Sequence, residues 1–148
     1  MPRTRHNYSK FDVDLDWSAI REQDVVDVFE HNGRLEIKTE RDIWARTGNF
    51  AVELYRIYKD NGKKQFSGLW DTDSDWWFIP LVKDNLTRRM FVIKTKELKW
   101  LINKFKKLGK YEIIPMGDKD SKFTTYGMVI PLWEIYNLEH INDYKEYK

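Results

Sequence analysis

The chain contains no cysteine. It therefore has no disulfide framework, iron–sulfur cluster, cysteine-ligated zinc or thiol nucleophile. Histidine is scarce as well: His6, His31 and His140 stand far apart, without the short spacing of metal ligands. No apolar run approaches the roughly 18 residues of a membrane-spanning helix. The stretch Met1-Pro-Arg-Thr-Arg-His-Asn-Tyr-Ser-Lys10 is polar and lacks the apolar region of a secretion signal. The expected setting is a reducing cytoplasm with no membrane association. The patterns G-x-x-x-x-G-K-[ST], G-x-G-x-x-G and G-x-S-x-G are all missing. Motor ATPase, dinucleotide and serine-hydrolase chemistry have no support, and no nucleotide cofactor is expected. The 4 prolines and 7 glycines fall mostly at turns.

What is present suits one domain. The 148 residues are enough for a full hydrophobic core, and the 16% aromatic content is too high for a disordered chain. A single domain over 1–148 is expected, with 1–11 as an arm and 142–148 as a fraying tail. Charge is nearly balanced, 26 Lys+Arg against 24 Asp+Glu, but it is segregated. Residues 12–30 hold seven acids against Arg21, and residues 88–110 hold nine cations against Glu97. Such a division reads either as a metal site beside a phosphate-binding surface or as two solvated faces.

Periodicity gives a coarse map. A short helix is expected over 16–23. Val25–Glu30 and Arg34–Thr39 read as strands joined by a turn at His31-Asn32-Gly33, since Asn-Gly favours a tight hairpin. Further strands are expected at Asn49–Tyr58, Trp76–Val82 (a continuous apolar run), Met90–Ile93, Tyr111–Pro115 and Gly127–Leu132. Residues 95–108 form the clearest helix. Leu98, Leu101, Ile102, Phe105 and Leu108 share one face, Thr95 is a candidate cap and Gly109 a stop. The tail from Trp133 has helical character. Strands with interspersed helices indicate an α/β or α+β domain with a mixed sheet.

The informative segment runs from Asp24 to Glu40. In a strand, Glu36 and Lys38 point to the same face. If Asn32-Gly33 forms a two-residue turn, Asp27 lies across from Lys38 and joins them. A shifted register substitutes Asp24. Two carboxylates and a lysine on one face suit phosphodiester hydrolysis. Asp27, Glu36 and the Ile37 carbonyl offer hard oxygen ligands to Mg²⁺, for which Mn²⁺ can substitute. The metal polarises the phosphate and acidifies a water, and Lys38 orients that water or stabilises charge on phosphorus.

The pattern Asp27, then Glu36-Ile37-Lys38, resembles the PD-(D/E)XK nuclease superfamily. The proline that usually precedes the first aspartate is absent, which leaves Asp24 and Asp27 both open as the ligand. The flanks extend the resemblance over roughly residues 24–82. They are Glu36-Ile-Lys-Thr-Glu40, Thr47-Gly-Asn49 with Glu53, Gly62-Lys-Lys-Gln-Phe-Ser-Gly68, and Thr72-Asp-Ser-Asp-Trp-Trp77. They are similar to a group of small phage and bacterial proteins within that superfamily. Gln65-Phe66 departs from the group by lengthening the loop before Ser67.

The resemblance implies a restriction-endonuclease-like core, a central mixed β-sheet flanked by helices. It implies a Mg²⁺-dependent endodeoxyribonuclease that leaves a 5′-phosphate, acting on branched or nicked DNA in recombination or repair. Asp27, Glu36, Lys38 and Glu53 are the expected catalytic residues. Arg41, Arg46, Asn49, Ser67, Arg88, Arg89, Lys96, Lys99 and Lys106 are the expected DNA contacts. Junction resolution would favour a homodimer, because two strands are then cut symmetrically. The alternative is a protein that keeps the fold without catalysis and binds DNA, or a phage protein that binds a host protein.

Overall fold

The computed structural model describes residues 34–117 and 119–145. The chain divides into Met1–Arg34 and Leu35–Lys148, and every element below belongs to the second unit. The expected helix over 16–23, the strand Val25–Glu30, the His31-Asn32-Gly33 turn, Asp24 and Asp27 lie outside the described residues.

The described strands form two four-stranded sheets. In the first, β5 (Trp76–Lys83) is central. Antiparallel β6 (Leu86–Lys94) lies on one side, and parallel β1 (Leu35–Ile37) and β2 (Glu40–Arg41) lie on the other. β5 is buried from Trp77 to Leu81, as its unbroken apolar run requires of a strand covered on both faces. Ile37 opposes Phe78 and Glu40 opposes Leu81, so β1 and β2 keep one offset and are a single interrupted strand. The interruption has a chemical cause. Lys38 N donates to Phe78 O at 2.9 Å, so Phe78 turns its polar groups toward β1. Pro80, two residues on, faces the same way and has no N–H to give, and the ladder fails at Lys38–Thr39.

β5 and β6 are joined by Asp84-Asn85, both at positive φ (53° and 59°), the backbone of a two-residue type I′ hairpin. The strand expected at Met90–Ile93 is therefore nine residues long. Polar Thr87, Arg88 and Arg89 conceal its first half.

The second sheet is antiparallel, ordered β4 (Lys64–Phe66), β3 (Asn49–Tyr58), β8 (Phe123–Pro131) and β7 (Ile113–Met116). β3 has the expected bounds, with Phe50, Val52 and Leu54 inward, and a bulge between Glu53 and Tyr55. β4 stands where a lengthened loop was expected. β7 begins two residues later than expected, and β8 four residues earlier. A short α1 (Ile43–Thr47), which its five residues did not announce, precedes β3 and ends at Gly48 in the left-handed region (φ 70°).

Helix α2 (Thr95–Leu108) has the expected bounds and stops at Gly109, also left-handed. Leu98, Leu101, Ile102 and Phe105 are buried, but Leu108 is 66% exposed: it closes the last turn, beyond the core. Thr95 is not the cap. Lys94 holds that position, and Thr95 is buried with its hydroxyl 2.9 Å from Ser74 Oγ. Beyond β8, a 3₁₀ segment (Leu132–Tyr136) leads to α3 (Leu138–Asp143), which the Asn137 side chain caps through Glu139 N. One core joins both sheets and α2, with Trp77, Phe50, Phe105 and Ile130 among its largest members. The fold is mixed α/β of the α+β kind, as expected. Among the described residues no helix is long and apolar enough to cross a membrane.

Candidate functional site

Glu36 opposes Trp77 across the parallel ladder, and Lys38 lies two residues on. Both side chains therefore stand on the Trp77 face, as the strand period predicts. They meet: Lys38 Nζ is 2.8 Å from Glu36 Oε1 and 5.9 Å from the centre of the Trp77 ring. The pair is half-buried, 38% and 30% exposed, so solvent and a ligand can reach it. Ser74 N donates to Thr72 Oγ1 at 3.2 Å, which leaves the Thr72 hydroxyl proton directed to Glu36 Oε2 at 3.4 Å. Lys99 Nζ, from α2, reaches Thr72 O at 3.3 Å. One expected cation of the helix thus borders the Glu36–Lys38 pair through the Thr72 turn.

Glu40 shares the parity of Glu36 but has another task. Its Oε1 accepts the Ala51 N–H at 2.8 Å, tying β2 to β3 of the other sheet. Burial raises its carboxyl pKa, against the lowering effect of that hydrogen bond. Glu53 lies at the β3 bulge. Among the described residues no hydrogen bond or ion pair joins it to Glu36 or Lys38. Against Glu53 sits Gly68, which opens the 3₁₀ turn Gly68–Trp70. A Cβ on Gly68 would stand 2.3 Å from Glu53 O, and its φ is +54°, so only glycine fits. Ser67 N donates to Leu54 O at 3.1 Å. Ser67 itself is buried, with its Oγ unpartnered, so it docks this turn on β3 and presents no surface to a phosphate backbone.

The remaining expected contacts spread over several elements. Arg41 (β2) and Arg46 (last turn of α1) are exposed. Asn49 opens β3, with its N–H on Thr47 Oγ1. Arg89 opposes Leu81, as Glu40 does, which places it about 13 Å along the sheet from the Glu36 level. Arg88 lies 3.9 Å from Asp84. Lys96 lines an open cleft of about 280 Å³ with Trp76 and Lys94, and Lys106 lies over the Trp70 ring. The basic run 88–110 is thus divided between one strand and one helix.

A second polar cluster was not foreseen. Glu134 is fully buried, yet Lys110 Nζ (2.6 Å) and Tyr111 OH (2.7 Å) donate to its Oε1, and His140 Nε2 bonds its Oε2. Lys104 Nζ donates to His140 Nδ1 at 3.1 Å, so the imidazole proton resides on Nε2 and points at Glu134. Burial by itself would raise the Glu134 pKa. The bonds from Lys110, Tyr111 and His140 and the Lys110 charge outweigh it and lower the value. Burial, then the Glu134 bond and charge, hold the Tyr111 hydroxyl protonated far above its ordinary range. Four elements contribute to this cluster, and no spacing along the chain signals it.

Among the described residues, no group of three or more His, Asp or Glu side chains is placed to hold a metal ion. No family model, curated protein or solved structure matches this chain.

Proposed function

We propose that this chain is a Mg²⁺-dependent endodeoxyribonuclease of the PD-(D/E)XK type, with the mixed first sheet and α2 as its restriction-endonuclease-like core. The observation that carries the reading is the Glu36–Lys38 pair, in contact at 2.8 Å and open to solvent on one face of that sheet. The donor chemistry fits a hard cation in kind: carboxylate and carbonyl oxygens, with no sulfur or imidazole. In number it requires a second carboxylate beside Glu36. The resemblance expects that carboxylate from Asp27, or from Asp24 in a shifted register, and a further oxygen from the Ile37 carbonyl. Bound there, Mg²⁺ would neutralise phosphate charge and favour ionisation of the attacking water.

The chain's own residues do the rest. Lys38 gives up its contact with Glu36 to orient the water or to meet the charge that grows on phosphorus. Thr72 holds the Glu36 carboxylate in place. Lys99, Arg41 and Arg46 grip the phosphates on either side of the scissile bond. Water adds to phosphorus, the bond to the 3′ oxygen breaks, and 5′-phosphate and 3′-hydroxyl ends result. The sequence offers no major-groove reading element, so branched or nicked DNA recognised by shape is the favoured substrate, and a homodimer suits paired cuts.

The test is cleavage of labelled linear, nicked, flapped and four-way-junction DNA with Mg²⁺ or Mn²⁺, comparing wild type with Glu36→Ala and Lys38→Ala. Cutting by the wild type and its loss in both variants is expected. Intact DNA binding without cutting by the wild type would replace this reading with that of a non-catalytic DNA-binding protein.

A further inference from the structure

The second sheet carries a row of rings that the Glu36 site does not use. Phe66 on β4 opposes Tyr55 on β3, Tyr55 opposes Tyr126 on β8, and Tyr126 opposes Pro115 on β7. Opposed residues share a face, so one apolar row crosses all four strands. Tyr55 and Tyr126 stack, with centroids 5.2 Å apart and planes 16° from parallel. At the end of the row Phe66 is 58% exposed. The row lies on the same side as Val52 and Met128, at the margin of the core: the bulge after Glu53 returns Tyr55 to register with Tyr126, and Tyr55 is partly buried against the core while Phe66 stands outside it.

A cation accompanies the rings. Lys64, two residues from Phe66 on the same face, holds its ammonium 4.0 Å from the Tyr55 centroid and 5.8 Å from that of Phe66. Among the described residues Lys64 has no carboxylate partner. The segment 55–66 carries Arg56, Lys59, Lys63 and Lys64 against Asp60 alone. Arg56 stands on the opposite face, over Phe123. The segment also contains Gln65-Phe66, the point at which the chain departs from the group it resembles.

We infer that this row is a stacking platform for a single-stranded polynucleotide, with a base on the exposed Phe66, a phosphate on Lys64, and the Tyr55–Tyr126 stack as the support behind them. Flat rings accept any base, and a lysine beside them meets the backbone charge. That combination favours an unpaired strand over a duplex, whose bases are already stacked on one another. A wholly apolar partner would leave the Lys64 charge uncompensated. Binding here requires no cutting at Glu36, so the inference stands apart from the nuclease reading.

The test is fluorescence anisotropy of labelled single strands of about 12 nucleotides, oligo-dT and oligo-rU, in EDTA, with a duplex of equal length as control. The wild type is expected to bind a single strand better than the duplex, and the two oligonucleotides establish whether a 2′-hydroxyl matters. Phe66→Ala, at an exposed position, should weaken binding about tenfold. Lys64→Ala should weaken it a few-fold and reduce the salt dependence by about one phosphate contact. The inference is overturned if the wild type binds no single strand, or if Phe66→Ala and Lys64→Ala bind as well as the wild type. It is equally overturned if sedimentation shows that Phe66→Ala only dissociates a dimer, since the row would then be a contact between copies.

Discussion

Glu36 and Glu134 are both glutamates bonded to a lysine, and they could hardly be held more differently. Glu36 is 30% exposed, with one short contact to Lys38 and a long one to Thr72. Glu134 is sealed from solvent, with Lys110, Tyr111 and His140 all donating to it. A carboxylate whose lone pairs are filled by fixed donors is a structural weld, because any movement strands a buried charge. A carboxylate with an open side and one displaceable partner can bind something else. Residue type does not separate the two, but the number of donors and the access of water do.

The comparison can be broken most sharply at Glu36 itself. If the chain is the nuclease proposed above, Glu36→Ala should reduce DNA cleavage by about 10³-fold, measured in single-turnover assays. It should cost well under about 1 kcal/mol of stability, since the ion pair is half exposed. A large loss of stability would make Glu36 another weld. Glu134→Ala should do the reverse. Removing one partner from a buried charged network costs about 3 kcal/mol, read from urea midpoints, while activity per folded molecule is retained. Tyr111→Phe removes one donor to a buried carboxylate and should cost about 1.5 kcal/mol.

Acid sharpens the contrast further. The Glu134 pKa is lowered from its ordinary 4.5 by folding. Its stabilisation is therefore complete above about pH 4.5 and is lost as pH falls through the lower folded value. Glu40 behaves oppositely. Its folded pKa is raised, so its contribution is present below the ordinary value and lost as pH rises through the raised one. Urea midpoints between pH 3 and 7 should fall steeply on the acid side in the wild type, and less so in Glu134→Gln. The smallest effect is expected at Thr72→Val, which leaves stability nearly unchanged and slows cleavage about fivefold through a less fixed Glu36.

Local pattern revealed the local parts of this molecule. The alternation of Phe50, Val52 and Leu54 marked β3, and the spacing of Leu98, Leu101, Ile102 and Phe105, ended by Gly109, marked α2. The parity of Glu36 and Lys38 predicted their contact. The partition into two sheets was not legible, because the pairing of β3 with β8 spans some seventy residues and leaves no periodic trace. The first half of β6 was hidden by its charge, although Asp84-Asn85 has the residue types of a tight hairpin turn. The Glu134 cluster was hidden for a third reason. Its members come from α2, the loop after it, the 3₁₀ segment and α3, and they become neighbours only once the chain has folded.

The interruption opposite Pro80 has a consequence for how this stretch can vary. Lys38–Thr39 lies between two paired stretches that share one offset, Ile37 with Phe78 and Glu40 with Leu81. Thr39 is half released from the ladder, so many side chains can stand there. A single inserted or deleted residue cannot. It would turn Glu40 to the opposite face of the sheet and take its carboxylate away from Ala51 N, uncoupling the Glu36–Lys38 strand from β3. At this point length is held more strictly than identity, and the stretch acts as a ruler between the two sheets.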